Sequence, residues 1–394
     1  MATLKFLFWT CLIIVVYTYV GYGVLLWLLV RIKRIVGGRM AKAVLPADDE
    51  LPDVTFLVCA YNEQDVVDSK MANTHALDYP AQKIHLMWVT DGSTDDTNAR
   101  LKNYPDVEIV YSPERRGKTA ALNHGIRLVK TEITVMTDAN TMVNPEAIRE
   151  IVRCMMDPQV GCVAGEKRVM ARHEGQAAAE GEGLYWKYES LLKQWDSELY
   201  SAMGAAGELN AIRTHLYETM PENALLDDFV MSMRMVDKGY RIAYTSDAYA
   251  MEYGSADLSE ESKRKRRIAA GGLQSIWWLR RMMIPFRRFP VAFQFISHRV
   301  LRWSITPVAM LALIPINTLL VIMKGGTVYT VVWLLQVLFY LAALLGYLSE
   351  RNGHRNKLLY IPYYFLFMNM NVFQGMHYLR THRGGGTWEK AKRA

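Results

Sequence analysis

Three short apolar runs in the first half of the chain end in acidic or amide side chains, and this pattern constrains the fold most. Residues 53–60, 84–90 and 133–137 are partly β-branched and are separated by helical stretches, which predicts parallel strands of an α/β sheet. The polar residues that follow the runs are Tyr61, Asn62, Glu63, Asp91, Asp138 and Asn140. Ligands of such sheets bind beyond the carboxyl ends of the strands, so we expect these side chains to meet in one crevice.

An uncharged, largely apolar stretch from Phe6 to Val30 precedes the strands. Roughly 20 such residues cross a bilayer as a helix, so the stretch predicts a transmembrane segment. A cleaved signal peptide is the alternative, but the basic residues follow the stretch and no small-residue cleavage site interrupts it. These residues, which place the following loop in the cytoplasm, are Arg31, Lys33, Arg34, Arg39 and Lys42.

The composition fits a mixed soluble and membrane protein. With 394 residues, 51% of them hydrophobic and 22% charged, the chain allows one soluble domain of roughly 250 residues plus membrane segments. The net charge of +7 is uneven, because residues 262–349 contain no Asp or Glu while residues 263–288 supply nine cations. This asymmetry favours anionic lipid or a phosphate-bearing substrate over nucleic acid, for which no motif is present. The four cysteines lack metal-binding spacing and are expected to be buried free thiols.

We predict five parts of the chain, in order. They are an N-terminal transmembrane helix with a basic loop (1–42), a cytosolic domain (43–262), basic and aromatic interfacial helices (263–303), C-terminal membrane segments (304–378) and a cytoplasmic tail (379–394). Residues 305–323 and 327–348 are long enough to cross the membrane. Residues 358–376 contain Pro362 and several amides, and we favour a partial, re-entrant or cavity-lining helix there.

Two cationic or acidic turns follow the first strands. Asp91-Gly92-Ser93-Thr94 suits recognition of a base or ribose, although the same residues are ordinary turn chemistry. Residues 115–119 are not a Walker loop, because Ser112 stands where that pattern requires glycine. A cationic turn that opens a helix at Lys118 can still neutralise a diphosphate.

Three further positions carry candidate chemistry. Asp138 with Asn140 can hold Mg²⁺ or Mn²⁺ on phosphate oxygens, or Asp138 can cap the helix that follows. The adjacent carboxylates of Asp227 and Asp228 follow an apolar pair, as a general base with a raised pKa would, or they begin an exposed helix. Residues 264–267 are all basic, and charge alone predicts a solvated or membrane-facing run there.

Together these motifs resemble family 2 glycosyltransferases, from Val54 to about Arg267. The matching residues, in the order of the family, are Tyr61-Asn62-Glu63, Asp91-Gly92-Ser93, Gly117 to Asn123, Asp138-Ala139-Asn140, Gly204 to Gly207, Asp227-Asp228 and Arg264-x-x-Arg267. The chain is most similar to bacterial synthases of the hyaluronan or poly-N-acetylglucosamine type and to exopolysaccharide glycosyltransferases.

The resemblance implies a Rossmann-like GT-A domain on the cytoplasmic side of a bacterial inner membrane, held by a multi-pass chain. It also implies inverting transfer from a UDP-sugar to a saccharide or lipid-linked acceptor, with membrane lipid and an export protein as further partners. The implied residues are Asp228 as base with Asp227, Arg264 and Arg267 as catalytic residues; Tyr61, Asn62, Glu63, Asp91, Gly92, Lys118 and Asp138 for the donor; Gly204, Gly207, Glu208 and Trp388 for the acceptor; and Asp138 and Asn140 for Mg²⁺ or Mn²⁺.

The chain departs from the family pattern at two motifs. Asp138-Ala139-Asn140 stands where the family commonly has Asp-x-Asp, which leaves a single carboxylate for the metal. Ile268 stands where polysaccharide synthases have the tryptophan of Gln-x-x-Arg-Trp, so the aromatic platform for an acceptor sugar is missing there. Trp277 and Trp278 are candidates to replace it, or they anchor the chain at the membrane interface.

Two alternatives to a polymerising enzyme remain open on the sequence. The first is a transferase that adds one sugar to a polyprenyl-diphosphate-linked intermediate, which shares the site but needs no channel. The second is a degenerate scaffold subunit of an export complex, against which the joint presence of Asp91, Asp138, Asp228 and Arg267 argues.

Overall fold

A mixed sheet lies at the centre of the computed structural model, which describes residues 1–38, 42–170, 177–253, 258–352 and 356–381. Its eight strands within these residues are β1 (Val54–Ala60), β2 (Ile84–Asp91), β3 (Val107–Ser112), β4 (Ile133–Asp138), β5 (Met142–Val143), β6 (Val160–Met170), β7 (Leu209–Arg213) and β8 (Arg241–Tyr253). The strand order is β3-β2-β1-β4-β7-β6-β8-β5.

The first half of the sheet is parallel, as predicted. β1 pairs in parallel with both β2 and β4, and β2 pairs in parallel with β3. The register places Asp138 beside Cys59 at the end of β1, and Asp91 beside Ser112 at the end of β3. The carboxyl ends of these strands therefore lie at one edge, where ligands of parallel sheets bind. The second half is mixed, because β7 runs antiparallel to both β4 and β6.

Helices cover the sheet, and the helices at the two ends of the described chain include those long and apolar enough to span a membrane. Within the described residues they are α1 (Ala2–Val16), α2 (Tyr22–Gly37), α3 (Val67–His75), α4 (Thr97–Leu101), α5 (Lys118–Ile126), α6 (Ala147–Met155), α7 (Ala177–Leu199), α8 (Asp227–Lys238), α9 (Leu258–Trp278), α10 (Phe289–Phe295), α11 (Thr306–Ile322), α12 (Thr327–Arg351) and α13 (Lys357–Thr381).

Alternating side chains of the strands fill two cores, one on each face of the sheet. Phe56 of β1 packs on the face covered by α3 and α6, where Ile148 is fully buried. Leu57 points to the other face, where α5 and α8 contribute Leu122 and Phe229. This period-two alternation explains why the parallel strands are apolar along most of their length. The four cysteines are free thiols, as expected, but only Cys162 is buried, while Cys11, Cys59 and Cys154 are partly exposed.

The N-terminal helix is long and apolar enough to span a membrane, as the sequence predicted. α1 and α2 form one helix over Ala2–Gly37 through a π-helical turn at Tyr17–Gly21. The basic residues that follow dock on the last turn of α7, where Lys33 Nζ donates to the backbone oxygens of Glu198 and Leu199. Cations are stabilised there by the carbonyl end of the helix.

Two further helices in the described residues are long and apolar enough to span, Phe289–Ile322 and Thr327–Arg351. Residues 289–303, predicted to belong to an interfacial segment, instead continue into the first of these helices through a π-helix at Ile296–Ile305. Their charge does not exclude them from the protein interior. His298 is hydrogen-bonded to Asp196, and Arg302 Nη1 lies 2.8 Å from Glu189 Oε2, both acids being on α7.

Helix α13 packs against α9 and lines the cavity. Gly375 lets it approach α9, since a Cβ there would lie 2.7 Å from the backbone nitrogen of Ala270. Amide side chains connect neighbouring helices at two places: Tyr19 donates a hydrogen bond to Asn369 at 2.5 Å, and the side chains of Asn317 and Gln336 lie 2.8 Å apart. Asn371 instead donates to the backbone oxygen of Phe367 in its own helix. Met368 and Tyr378 of α13 reach the cavity described next.

Candidate active site

One cavity of about 710 Å³ lies where the carboxyl ends of the strands meet the following helices. Asp91, Asp138 and Asp228 all line it, although they are far apart in the chain. The strand ends form one side, and the first turns of α5 and α8 together with α9 form another. Asp91 and Asp138 therefore share one cavity, as the strand-end pattern predicted, and Asp228, which the family resemblance added, lines the same cavity.

Asp91 holds the cationic loop that precedes α5. Its Oδ1 accepts a hydrogen bond from the backbone nitrogen of Arg116 at 2.9 Å, and its Oδ2 accepts one from Gly117 at 2.6 Å. Gly92 has φ 66°, and a Cβ there would lie 2.6 Å from the backbone nitrogen of Arg115. Gly92 therefore permits the loop to approach the end of β2. Gly92 itself does not line the cavity.

Tyr61 and Arg115 form a flat surface at the same end of the cavity. The Arg115 guanidinium lies 3.9 Å from the centre of the Tyr61 ring, and both residues and Glu63 line the wall. Such a surface suits stacking of a planar base. Asn62 does not line the cavity; it has φ 52°, and its Oδ1 accepts a hydrogen bond from the backbone nitrogen of Thr94 at 2.9 Å. Asn62 therefore shapes the turn after β1.

Lys118, at the start of α5, forms an ion pair with Asp138 at the end of β4. Burial by itself lowers the pKa of a lysine, but the carboxylates of Asp138 and Asp227 outweigh it and raise the pKa of Lys118 above its ordinary value. Lys118 is therefore a permanent cation in the cavity. Asn140 lines the wall beside Asp138.

Asp227 and Asp228 form the first turn of α8, whose free backbone N–H groups favour negative charge. The pKa of Asp228 is raised to about 7, mainly because the carboxyl group is buried and secondly because of the negative charge of the neighbouring Asp227. Asp228 Oδ1 accepts a hydrogen bond from the backbone nitrogen of Phe229 at 2.8 Å. Asp228 is therefore poised to accept a proton near neutral pH. Neither acid begins an exposed helix: Asp227 is 6% exposed, and Asp228 lines the cavity.

Arg264 joins a buried network of ion pairs behind the cavity. Its Nη2 lies 3.2 Å from Glu252 of β8 and 3.4 Å from Glu208, which Lys167 of β6 also contacts at 2.6 Å. Burial alone would raise the pKa of Glu208, but Lys167 and Arg264 lower it well below its ordinary value. Charge alone predicted a solvated run here, and this was wrong for Arg264 and Lys265, because carboxylates inside the fold pair with both.

Arg267 lies one turn further along α9 and also lines the cavity. Burial, and then the positive charge of Arg264, lower its pKa, while Asp227, Asp138 and Asp228 act in the opposite direction. The guanidinium shares the wall of the cavity with these three carboxylates, and it is one of several basic side chains of α9 that line it.

A further wall, not predicted from the sequence, comes from helices that continue into the membrane segments. Its residues are Trp186, Glu189 and Lys193 of α7, Arg299 and Trp303 of the π-helix, and Met368 and Tyr378 of α13. The sequence does hold one signal of it. Glu189, Lys193 and Asp196 recur at i, i+4 and i+7, which places three charges on one face of an otherwise amphipathic helix.

This wall adds aromatic rings to those of Tyr61 and Phe229 at the cavity. Trp303 packs against Phe229 with ring centres 5.0 Å apart, and a Cβ on Gly272 would lie 2.7 Å from its ring. Trp277 is 66% exposed, and neither it nor Trp278 lines the cavity. Trp186 and Trp303, and not Trp277 and Trp278, therefore lie where an aromatic platform for an acceptor sugar would be needed.

Of the predicted acceptor residues, Gly207 and Glu208 line the cavity and Gly204 does not. Gly204 has φ 98°, and a Cβ there would lie 2.2 Å from Phe229 Cδ2, so it serves the packing behind the wall. Trp388 lies outside the described residues. Gly207 leaves room at the base, because a Cβ there would lie 3.0 Å from Lys118 Nζ and 3.3 Å from Asp228 Oδ2.

Replacing Gly204 with alanine is expected to lower the free energy of unfolding by roughly 2–4 kcal/mol, because the new Cβ overlaps Phe229 and the φ is positive. The measurement is the apparent Tm of the full chain in detergent. Gly37→Ala is the matched control, since a Cβ at Gly37 meets no atom within 4 Å. Equal Tm values for the two variants would contradict the packing assigned to Gly204.

The oxygen atoms at the strand ends fit a divalent cation that also binds phosphate. No group of three His, Cys, Asp or Glu side chains within the described ranges forms a metal site by itself. Asp138 and Asn140 supply a carboxylate and an amide oxygen, and the buried Asp227 Oδ2 accepts no hydrogen bond from the part of the chain that the structure describes. Mg²⁺ commonly binds through one or two carboxylates plus substrate phosphates, so this donor set suits it.

The chain matches a protein-family model described as glycosyltransferase like family 2 over residues 52–271. It belongs to this family. It is 28% identical over 239 residues to a poly-beta-1,6-N-acetyl-D-glucosamine synthase of Staphylococcus aureus, covering 57% of this chain and 55% of that protein. A synthase of the same description from Staphylococcus epidermidis is 24% identical over 247 residues, covering 58% and 57%. The chain thus spans just over half the length of these curated relatives.

A solved structure shares the fold over nearly the whole chain. The mannosyltransferase PcManGT from Pyrobaculum calidifontis, in complex with GDP-Man and Mn²⁺, superposes with a TM-score of 0.67. The match covers 96% of this family 2 glycosyltransferase and 100% of the archaeal chain, at 20% identity. At that identity the likeness shows the fold alone, and the predicted GT-A architecture with membrane-length helices at both ends is confirmed.

Proposed function

We propose that this family 2 glycosyltransferase moves a sugar from a nucleoside diphosphate donor, UDP-linked, to a growing polysaccharide or lipid-linked saccharide. The observation that carries the proposal is the single cavity lined by Asp91, Asp138 and Asp228. The Tyr61–Arg115 surface and the loop held by Asp91 accommodate the base. The diphosphate then lies between them and the reacting carbon.

Transfer proceeds as one in-line displacement. The acceptor hydroxyl attacks the anomeric carbon while the bond from that carbon to the diphosphate oxygen breaks, so the configuration inverts. Asp228 accepts the hydroxyl proton, and Gly207 leaves room for that hydroxyl beside it. Lys118 and Arg267 stabilise the negative charge that develops on the departing diphosphate, which lowers the barrier.

Asp138 and Asn140 would hold Mg²⁺ or Mn²⁺, with Asp227 next to them. When bound, the cation supplies positive charge to the diphosphate. Lys118 pairs with Asp138 and keeps this carboxylate oriented toward the cavity. Arg264 acts differently from Arg267, since it is held by Glu208 and Glu252 and positions Glu208 at the acceptor side.

The nature of the acceptor has two versions. Polymer synthesis is supported by the curated relatives, which are described as polysaccharide synthases, and by the rings of Trp186 and Trp303 at the cavity. Addition of one sugar to a polyprenyl-diphosphate-linked intermediate is supported by Ile268 in place of the platform tryptophan and by the cations of the membrane-side wall. In both versions the catalytic domain lies on the cytoplasmic side of a bacterial inner membrane.

The test is turnover of several UDP-sugars by the detergent-solubilised full chain. We expect one UDP-sugar to be hydrolysed or transferred well above the others, with UDP released. Product sizing with labelled sugar then separates the two versions, because a long polymer excludes single addition. Turnover of GDP-sugars alone would contradict the assignment of the base, and turnover of neither class would contradict the proposed function.

The pKa of Asp228 predicts the pH dependence of the reaction. The carboxyl group must be ionised to accept a proton, so kcat/KM is expected to rise with pH through about 7 and then level off. In the folded protein the raised pKa favours the neutral form, so this group becomes less stabilising as pH rises through the same range. A profile of kcat/KM from pH 5 to 9 at saturating Mg²⁺ measures the first effect. A profile that instead falls through this range would assign Asp228 as an acid.

A further inference from the structure

Lys193 is a buried cation that faces the cavity without a partner. It is 7% exposed and lines the cavity, yet it makes no hydrogen bond or ion pair with any residue in the described parts of the chain. Two of the acids whose charges act on it are already paired. Glu189 binds Arg299 at 2.7 Å and Arg302 at 2.8 Å, and Glu208 binds Lys167 at 2.6 Å.

A buried ammonium group without a counter-ion costs folding free energy. Burial, the largest cause, lowers the pKa of Lys193, and the negative charges of Glu189, Glu208 and Asp228 only partly oppose it. A neutral, long side chain would fill the same volume without this cost. Retaining a lysine here is therefore consistent with an anion that reaches it during the reaction.

The wall of the cavity carries more basic than acidic side chains. Among the described residues, nine Lys and Arg residues line it against seven Asp and Glu residues. Beside Lys193 on the membrane-side wall, Arg299 is already paired with Glu189. An anionic ligand group is therefore favoured beside Lys193.

The wall that Lys193 belongs to is built largely from helices near the membrane segments. Leu192, the residue before Lys193 on α7, is buried with Tyr22 and Leu26 of the N-terminal helix, so α7 packs on a helix long and apolar enough to span a membrane. The other residues of the wall come from α7, from the helix Phe289–Ile322 and from α13. A molecule bound at Lys193 therefore contacts these helices, whereas Tyr61 follows β1 at the strand ends.

We propose that Lys193 binds the phosphate group of a lipid-linked acceptor and so sets the acceptor at the membrane-side wall, opposite the donor diphosphate. This inference rests on the proposed function, of which it specifies the acceptor class. The phosphate accepts charge-assisted hydrogen bonds from Nζ, and its hydrocarbon chain leaves along the membrane helices. Lys193 and Asp228 line the same cavity, so a hydroxyl of an acceptor held by its phosphate at Lys193 can meet Asp228 there.

The experiment measures binding of farnesyl phosphate, farnesol and inorganic phosphate to the full chain in detergent. We expect native protein to bind farnesyl phosphate at least about tenfold more tightly than farnesol, which lacks the anion, and inorganic phosphate more weakly than either lipid. Lys193→Met is expected to remove the preference, and Lys193→Arg to retain most of it. Lys187→Met is the matched control, because Lys187 lies exposed on the same helix, and it is expected to bind as native.

UDP affinity, measured on the same samples, separates this site from the donor site. It is expected to be unchanged in Lys193→Met, and a parallel loss would place Lys193 on the donor diphosphate and overturn the proposal. Equal binding of farnesyl phosphate and farnesol, a preference that survives Lys193→Met, or inorganic phosphate as the tightest ligand would also overturn it. If the protein turns over a UDP-sugar but its preference for farnesyl phosphate does not depend on Lys193, this inference alone is wrong. If it turns over no UDP-sugar, the proposed function is wrong.

Discussion

Asp228→Asn is expected to lower the rate of sugar transfer by about 10²–10⁴-fold, the usual contribution of a general base. The amide keeps the shape of the side chain and its contact with the backbone of Phe229 but cannot accept the acceptor proton. Binding of the UDP-sugar is expected to remain close to native, because the donor contacts lie at the strand ends. The measurement is kcat and KM for the best UDP-sugar, together with UDP affinity.

Asp237→Asn is the control for this change, since Asp237 lies near the far end of the same helix and its side chain is 42% exposed. It is expected to transfer sugar at the native rate. The rise of kcat/KM with pH through about 7 is expected to vanish from the residual activity of Asp228→Asn. Native kcat in that variant would remove the proton-accepting role from Asp228 and return the assignment to Asp227.

Asp138→Ala is expected to lower turnover by about 10²–10³-fold, the size of effect seen when a group that stabilises developing charge is lost. Two contributions vanish together, the carboxylate ligand of the cation and the ion pair that orients Lys118. We expect Mg²⁺ or Mn²⁺ to cease to strengthen UDP binding in the variant. Titration of UDP with and without the metal, followed by addition of chelator, measures this directly.

Asp138→Asn keeps a single oxygen ligand and a partner for Lys118, so it is expected to lie between native and alanine variants. The Tm of each variant in detergent controls for misfolding, since Lys118 still has Asp227 and Asp228 nearby. Native protein whose turnover is insensitive to chelator would contradict the metal assignment. In that case Lys118 and Arg267 alone would supply the positive charge.

The strand-end reasoning succeeded because its signal is local. A short apolar run followed by an acid indicates both where a parallel strand ends and which side chain lies there. β1 ends at Ala60 as expected, and β2 and β4 end one residue beyond the predicted runs, at Asp91 and Asp138. Parallel neighbours bring those ends to one edge whatever the rest of the chain does. The resemblance of the ordered motifs to family 2 glycosyltransferases placed Asp228 and Arg267 at the same site.

Some residues within those motifs act through the backbone rather than at the cavity. Asn62, Gly92 and Gly204 hold turns or permit close approach, and their motif position alone does not distinguish this from ligand contact. Arg264 belongs to a set of ion pairs with Glu208 and Glu252, which lie 56 and 12 residues away. Only the packed structure shows that Arg264 is paired with these two carboxylates.

The sequence by itself determined the α/β class, the apolar N-terminal helix and the acidic cavity, because periodicity, length and strand ends are properties of contiguous residues. The tertiary structure decided how the charged segment around His298, Arg299 and Arg302 is accommodated. By hydropathy alone, these charged side chains are expected to stay outside the protein interior. In the structure they are buried, because Glu189 and Asp196, about a hundred residues earlier in the chain, pair with them. The same packing leaves Lys193 unpaired at the cavity, and a charge is costly or harmless according to its neighbours in space.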